Sequence, residues 1–528
     1  MLKECIFTIM RIRTMNRFSL FVHSLITLAL TLGTAVNSYS QNDAGRIDVK
    51  IRKPEFAQSA RDQNNNYVFI LRSSSQYQLA FFRADQTENG NIAVAIPDDN
   101  RKDEIIGAGL NGDICKLYLY NLKHGKFSQV TVNRTNGQTS VLTLGQLSVS
   151  DKYLKSVFVE SAFYILTVPQ GKNELHVWKI EEDNLERRDY IINMPDFYRR
   201  LSTDNSYLNE ETETHVGIDR INYDLENNVK SAQSTKKLYV VNHTIVMTFD
   251  DPDYTHMVTI DTDAKQSDYK KLQFSLEKSN ASSKKQGNSF LYRDILFRST
   301  INMDQLNISI VRLESMELLA NYNAYPNQEI DFKNGPMYQE GNSDKVKVIE
   351  DNGVFFRRIL NGFLSIAVNQ RDSVFIVETG GYEIYNSGGG FGSPNGGGGP
   401  NISMSMGMGM GMGGYYGGYP YMGGMGGMGG YGWGNPGYYY GYPGYYPYNS
   451  YTTTIRTVYF HSLLSTETLN HQAGLVPISL RERISNFQTT MFQDKDPELV
   501  RIISFEDKII IGYFIANTNQ YRTYSFLK

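Results

Sequence analysis

Cysteine is almost missing from this chain: Cys5 and Cys115 are the two in 528 residues. The N-terminal stretch MNRFSLFVHSLITLALTLGTAVNSYSQN, beginning at Met15, carries a basic lead in Arg17. An apolar run from Phe18 to Val36 follows, then the small residues Ser38 and Ser40. That order predicts a secretory signal peptide over 1–40, cleaved after Ser40, with residues 1–14 an upstream start. An uncleaved membrane anchor is the alternative, because the run is nearly long enough to span a bilayer. Cleavage removes Cys5 and leaves Cys115 alone, so no intramolecular disulfide can staple the mature chain and folding must rest on a large core. No cysteine lies at the cleavage site, which excludes a bacterial lipoprotein signal. No second long apolar run appears, so the mature chain is expected to have no transmembrane segment and to be periplasmic or extracellular, in a bacterium.

A charge excess is missing too. The formal net charge of −3 and a pI near 6.3 leave no basic footprint, so nucleic acid is not expected as a partner. Nucleophile-elbow GxSxG, zinc-binding HExxH, Walker and GxGxxG sequences are all missing, and the reading is of a protein more suited to binding than to catalysis. Aromatics, by contrast, are plentiful, with 37 tyrosines and 27 phenylalanines. Helix-favouring tracts are scarce. The bias points to strands, where bulky and β-branched side chains fit a pleated, half-buried surface.

One pattern returns along the chain: an apolar strand, a polar turn, an alternating strand and another turn. It is seen in NYVFILRSSSQYQLAFFRADQTENGNIAVAI (66–96), EIIGAGLNGDICKLYLYNLKHGKFSQVTV (104–132), and AFYILTVPQGKNELHVWKIEEDNLERRDYII (162–192). Two more copies are TIVMTFDDPDYTHMVTIDTDAKQSDYKKLQF (244–274) and ILFRSTINMDQLNISIVRLESMELLANY (295–322). The sixth copy runs from DSVFIVETGGYEI on to TIRTVYFHSLLSTETL, and the seventh is DKIIIGYFIANTNQYRTYSFLK (507–528). Repeated antiparallel units of this kind bury their edges by closing radially. The chain therefore resembles the β-propeller superfamily over nearly all of its mature length, without the Trp-Asp, kelch or YWTD signatures of a subfamily. The resemblance implies an all-β fold with seven blades; a multi-domain β-sandwich is the competing architecture. The last copy has no outer strand after YRTYSFLK, and RIDVKI (46–51) is expected to supply one, bringing both chain ends into one blade. A helix is expected where Ser479 and Glu482 form a capping box ahead of Leu480, Ile484, Phe487 and Met491 at helical spacing.

Between Glu383 and Arg456 there is no charged residue and no histidine. The segment 388–450 is instead rich in glycine, methionine and tyrosine, and it divides the propeller into 41–387 and 451–528. Such a composition predicts a disordered loop inserted in the sixth blade. Lengthening a hairpin loop from about 4 to about 64 residues costs only roughly 2.4 kcal/mol of closure entropy. Within it, Met404, Met406, Met408, Met410 and Met412 alternate along one face of an extended chain, and Met422, Met425 and Met428 follow at MxxM spacing. Thioethers suit Cu(I), and the stretch resembles the methionine-rich segments of periplasmic copper proteins. No other cofactor is expected. Tyr415, Tyr416, Tyr419, Tyr421, Tyr438, Tyr439 and Tyr440 offer rings for stacking on a protein or polysaccharide of the cell envelope.

The remaining candidates have modest chemistry. His176 and His256 occupy equivalent strands of two copies, and a ring of blades would hold them apart, so they are expected to be ordinary strand histidines. Asp250, Asp251 and Asp253 in FDDPDY, and Asp494, Asp496 and Glu498 in QDKDPE, could serve calcium or simply the turns that Asp-Pro sequences favour. Asn133, Asn242, Asn280 and Asn307 head Asn-X-Ser/Thr triplets, which matter only in a eukaryotic secretory route. Three readings stay open: an envelope scaffold or binding propeller, a copper handler, and a glycan-active hydrolase or lyase with carboxylates in the central funnel.

Overall fold

A computed structural model describes residues 42–181, 183–202, 217–223, 226–276, 284–341, 346–387, 452–492 and 498–528. Among the described residues thirty strands, the inner ones buried along most of their length, sort into seven sheets in near-sequential order, antiparallel except where β14 joins β15. The first strand, β1 (Asn42–Asp48), is set aside by the chain for the last sheet. Blade 1 is β2 (Phe56–Arg61), β3 (Tyr67–Arg72), β4 (Gln76–Phe82) and β5 (Glu88–Ala95). Blade 2 is β6 (Glu104–Asn111), β7 (Ile114–Asn121), β8 (Lys126–Asn133) and β9 (Thr139–Gln146). Blade 3 is β10 (Asp151–Val159), β11 (Ala162–Pro169), β12 (Glu174–Glu181) and β13 (Asn184–Ile191).

Blade 4 has an extra innermost strand, β14 (Asp219–Arg220), parallel to β15 (Lys236–Val241), before β16 (Thr244–Asp250), β17 (Tyr254–Asp261) and β18 (Gln266–Gln273). Blade 5 is β19 (Gln286–Tyr292), β20 (Ile295–Ile301), β21 (Leu306–Arg312) and β22 (Leu318–Ala324). In blade 6, β23 (Met337–Glu340) and β24 (Lys347–Ile349) come first in the chain but lie outermost, beside β27 (Thr452–Ser465), β26 (Val374–Ser387) and innermost β25 (Phe363–Arg371). Blade 7 is β28 (Glu498–Ser504), β29 (Lys508–Ile515) and β30 (Gln520–Leu527), completed by β1.

The fold is a seven-bladed β-propeller. β1 pairs with β30 from Asn42↔Ser525 to Asp48↔Gln520, so the outermost strand of the last blade comes from the N-terminal side of blade 1, as expected, although it begins upstream of RIDVKI and ends within it. A bulge between Asp43 and Gly45 adjusts the register; Gly45 has φ +151°, a conformation that a side chain would strain. The second repeat, 104–132, covers the first three strands of its blade, β6–β8, whereas the repeats at 66–96, 162–192, 244–274 and 295–322 each end on the outermost strand of theirs.

Inner strands of successive blades lie against each other, β28 on β2, β2 on β6, β6 on β10, β10 on β15 and β19 on β25. The hydrophobic clusters sit mainly between blades rather than within them. Blade 7 meets blade 1 through Ile47, Tyr67, Phe69, Phe82, Phe514 and Tyr521, with Tyr67 stacked on Phe82 at 5.0 Å between ring centroids. Apolar clusters likewise join blades 1 and 2, 2 and 3, and 3 and 4, and one runs through blades 4, 5 and 6.

The helix Leu480–Phe492 lies on blade 7. Glu482 N donates to Ser479 Oγ at 3.0 Å, the expected cap. Leu480, Ile484 and Phe487 are buried against Ile509, Tyr524 and Phe526, while Met491, expected on the same face, stands exposed. Cys115 is fully buried, and burial pushes its thiol up to about 12.

Candidate functional site

Two gatherings of charge stand out among the described residues. The first lies between blades 4 and 5, at the FDDPDY turn. Asp250, Lys237 and Arg298 have no exposed side-chain surface. Asp250 accepts hydrogen bonds from Arg298 Nη1 (3.0 Å), Thr255 Oγ1 (2.7 Å), Ser289 N (2.8 Å) and Ser289 Oγ (3.0 Å), with Lys237 Nζ at 3.7 Å. Lys237 Nζ donates to Asn288 Oδ1 (2.9 Å) and the Ser289 carbonyl (2.7 Å). Arg298 Nη2 reaches the carbonyls of Asp251 (2.6 Å) and Pro252 (3.1 Å). Gly287 makes room for it: a Cβ there would stand 2.1 Å from Arg298 Nη2. Burial drives the Lys237 ammonium down to about 8, against the pull of Asp250.

Asp251 continues the network outward. It takes a two-pronged ion pair from Arg200, 2.8 Å to each oxygen, and lies 3.1 Å from His256 Nε2. Burial works to raise its carboxyl, but the hydrogen bonds from His256 and Arg200 outweigh it and hold the group far below the usual carboxylate range. Asp253 pairs with Lys285 at 2.6 Å. The three aspartates weighed for calcium are thus each engaged by the protein's own cations. Asp494 and Asp496 lie outside the described residues, and Glu498 is exposed at the start of β28.

The second gathering lies where the loop after β14 reaches blade 6 and the start of the helix Leu480–Phe492. Asn227 and Asn369 exchange hydrogen bonds of 2.7 Å in both directions, tying this loop to the end of β25. Glu226 Oε1 accepts from Arg371 Nη2 (2.9 Å), and its Oε2 takes the amide of Arg481 (3.2 Å). Glu378 on β26 accepts from the Val229 amide (2.9 Å) and stands 3.3 Å from His461 Nε2 on β27. Glu340 on β23 accepts from the Tyr459 hydroxyl. Lys230 and Arg481 share this corner, and burial depresses both of their pKa values.

His176 and His256 sit at matching positions of β12 and β17, each 4% exposed. Each has its own acid, Asp151 Oδ2 at 3.2 Å for His176 and Asp251 for His256. They are strand histidines of separate blades, as expected. Asn307 is closed to a glycan, because its amide donates to Asn321 and Asn323, both at 2.7 Å. The methionine candidates Met404–Met428 and the tyrosine candidates Tyr415–Tyr440 lie outside the described residues. The strands on either side of them do not: β26 and β27 pair continuously from Val374↔Ser465 to Ser387↔Thr452. Sequence reasoning missed the Asp250–Arg298 pair and the Glu226–Arg371–Arg481 corner. The only signal of the first was the FDDPDY acid run; the second had an arginine in the first turn of a helix, where acids are favoured.

No family model and no curated protein sequence matches the chain. Solved structures give faint likenesses. A Lactobacillus plantarum protein is 9% identical with a TM-score of 0.27, over 63% of this chain and 82% of its own. The Dos1 propeller is 10% identical with a TM-score of 0.26, over 62% and 79%. The Nup133 β-propeller domain of Vanderwaltozyma polyspora is 11% identical with a TM-score of 0.24, over 64% and 87%. At such scores they carry no argument about function, and the fold stands on strand order and ring closure.

Proposed function

We propose that this protein is a secreted, non-catalytic β-propeller of a bacterial cell envelope. It contacts a protein or polysaccharide partner through its loops and through the Gly/Met/Tyr-rich segment between β26 and β27. The observation that carries the reading is the length of that hairpin. Its two strands have 14 residues each, while no other described strand exceeds nine. The pairs from Glu383↔Arg456 to Ser387↔Thr452 lie past Phe363, the first residue of the inner strand β25. Five further residues of extended chain add roughly 15 Å, so the insert is borne on a stalk of paired backbone. Tyrosine rings and thioethers without charge make it suited to adhesive contact.

Two other readings are weaker. Copper handling rests on methionine spacing alone. A glycan hydrolase would need free carboxylates, and Glu226, Glu340 and Glu378 each already accept from donors of the protein itself.

The test replaces residues 388–451 by an Asn-Gly turn joining Ser387 to Thr452. Cosedimentation with envelope fragments is compared with the parent protein. The expected result is at least about a tenfold loss of binding, or roughly 1.4 kcal/mol, with an unchanged melting temperature. Undiminished binding would overturn the reading. A Cu(I) competition titration of the same two proteins separates the copper alternative, which requires tight binding by the parent alone.

A further inference from the structure

The rim of a propeller is made of outermost strands, and each leaves a row of amides and carbonyls that another chain can pair with. Most of these edges are protected. β13 carries Glu186, Arg187, Arg188 and Asp189, β18 carries Asp268, Lys270 and Lys271, and β1 carries Asp43, Arg46 and Asp48. β24 is three residues long and opens on Lys347. On β5 the carbonyls of Asn89 and Asn91 accept hydrogen bonds from Arg134 Nη1 and Lys50 Nζ. β22 has no charge, but its Tyr322 packs on Phe332 at 5.2 Å and donates from its hydroxyl to the Leu469 carbonyl. β9 of blade 2, TSVLTLGQ, has none of these devices. No charged residue occurs from Thr135 to Ser150. Successive residues point to opposite faces of a sheet, and all of Thr139 to Thr143 are exposed, Val141 at 44% and Leu142 at 38%.

The turn that enters β9 fixes which of its groups face outward. Asn133 N donates to the Gln138 carbonyl, and Gly137 N to the Asn133 carbonyl, both at 2.9 Å. From that bonded pair an antiparallel ladder alternates. Ser140 and Leu142 therefore bond to Thr131 and Gln129 of β8, while Thr139, Val141 and Thr143, opposite Val132, Val130 and Ser128, turn amide and carbonyl outward. A bulge at Leu144 ends the regular run, and past it Leu147 N donates to the Gly125 carbonyl at 2.8 Å, in step with the alternation. Among the described residues no strand or loop pairs with that outer edge. The run TSVLT is also its own complement. About a two-fold axis at Val141, that residue meets the Val141 of a second copy, Thr139 meets Thr143, and Ser140 meets Leu142. Val141 then exchanges amide and carbonyl with its mate, and Thr139 does so with Thr143, so every outward group of the run is satisfied. Threonine and apolar cross-strand pairs are favourable, and no like charges meet. An equivalent pairing through β18 would bring Lys270 and Lys271 beside their own copies.

We propose that β9 is a self-association edge: two copies of this chain pair β9 to β9, antiparallel through Thr139–Thr143, and join their second blades into one continuous sheet. The contact is one strand wide, less than a permanent dimer needs, so association is weak and depends on concentration. It involves no residue of the β26–β27 hairpin or of the segment between those strands.

The test is sedimentation equilibrium of the full mature protein at concentrations up to about 100 μM, where an interface of this size should still associate. A monomer–dimer equilibrium is expected, at least about tenfold weaker in Val141→Lys and in Val141→Glu, each of which sets like charges opposite each other. Mixing these two variants is expected to restore the dimer, because opposite charges then face across the axis. A blade that was merely destabilised would not be rescued in this way. Melting temperatures identify any failure to fold, and Val141→Pro then takes their place with the same loss expected: the N–H it removes points outward, so the blade keeps its own ladder. A parent that stays monomeric throughout would overturn the proposal. So would association undiminished in the Val141 variants, which would place the contact elsewhere, or mixed variants that associate no more tightly than each alone.

Discussion

The interface between blades 4 and 5 and the corner beside blade 6 use the same residue types to opposite effect. In the first, Asp250 lies between Arg298 and Lys237, and every charged group also meets fixed donors or acceptors supplied by β15, β19 and the 250–253 turn. Such a buried network is costly to assemble, and more costly to break, because removing one member strands the others without water. In the second, the carboxylates are held by amide, hydroxyl and guanidinium donors, while the side chains of Lys230 and Arg481 make no hydrogen bond or ion pair among the described residues. A closed network holds blades in place; charges without fixed partners are cheaper to remove.

The most forceful way to break that comparison is Asp250→Ala, which leaves two buried cations facing each other. It is expected to cost about 3–5 kcal/mol of stability, read by urea denaturation. Arg481→Gln in the corner beside blade 6, which breaks no side-chain hydrogen bond or ion pair among the described residues, should cost less than about 1 kcal/mol by the same measurement. Comparable losses at the two places would erase the distinction.

A pH measurement sharpens it next. The Lys237 ammonium is depressed to about 8 in the folded protein, against 10.5 for the ordinary side chain. Between those values the unfolded chain binds more protons, so the contribution of this group to stability rises with pH. Wild type should therefore gain stability relative to Lys237→Met as pH increases from 8 to 10. A flat difference curve would mean that the ammonium is not desolvated as the geometry requires.

The smallest effect tests the helix that presents Arg481. Ser479→Ala removes the hydrogen bond to the Glu482 amide and should cost about 1 kcal/mol. Because Leu480, Ile484 and Phe487 still anchor the helix on blade 7, the loss should stay near that size in urea denaturation, and a loss as deep as that of Asp250→Ala would show that the cap, not the apolar face, holds the helix.

Much of the architecture is legible along the chain because each blade is built locally. Its strands follow one another across short turns, so alternation and turn residues report it. The missing outer strand of the last repeat likewise pointed to the alternating segment ahead of the first repeat, and β1 fills that place. Legibility fails where the chain departs from local order. β23 and β24 precede their own blade's inner strand yet lie at its outer edge, and no periodicity distinguishes them from a loop. Met491 follows the helical spacing of the buried face, but the surface of blade 7 does not extend beneath it.

The chemistry divides in the same way. FDDPDY announces three acids, but three of the cations that hold them, Arg200, Arg298 and Lys285, are each more than thirty residues away, and the fourth, Lys237, lies on a separate strand. Glu226, Glu340, Glu378 and Arg481 span four segments with nothing in common along the chain. Composition by itself determined an all-β chain, its repeat and the uncharged segment between Glu383 and Arg456, since these depend on side-chain pattern over a few neighbours. Only tertiary structure decided which charges would be paired and which would not, because a charge's partner is set by distance in space, and ring closure brings together residues that the chain keeps far apart.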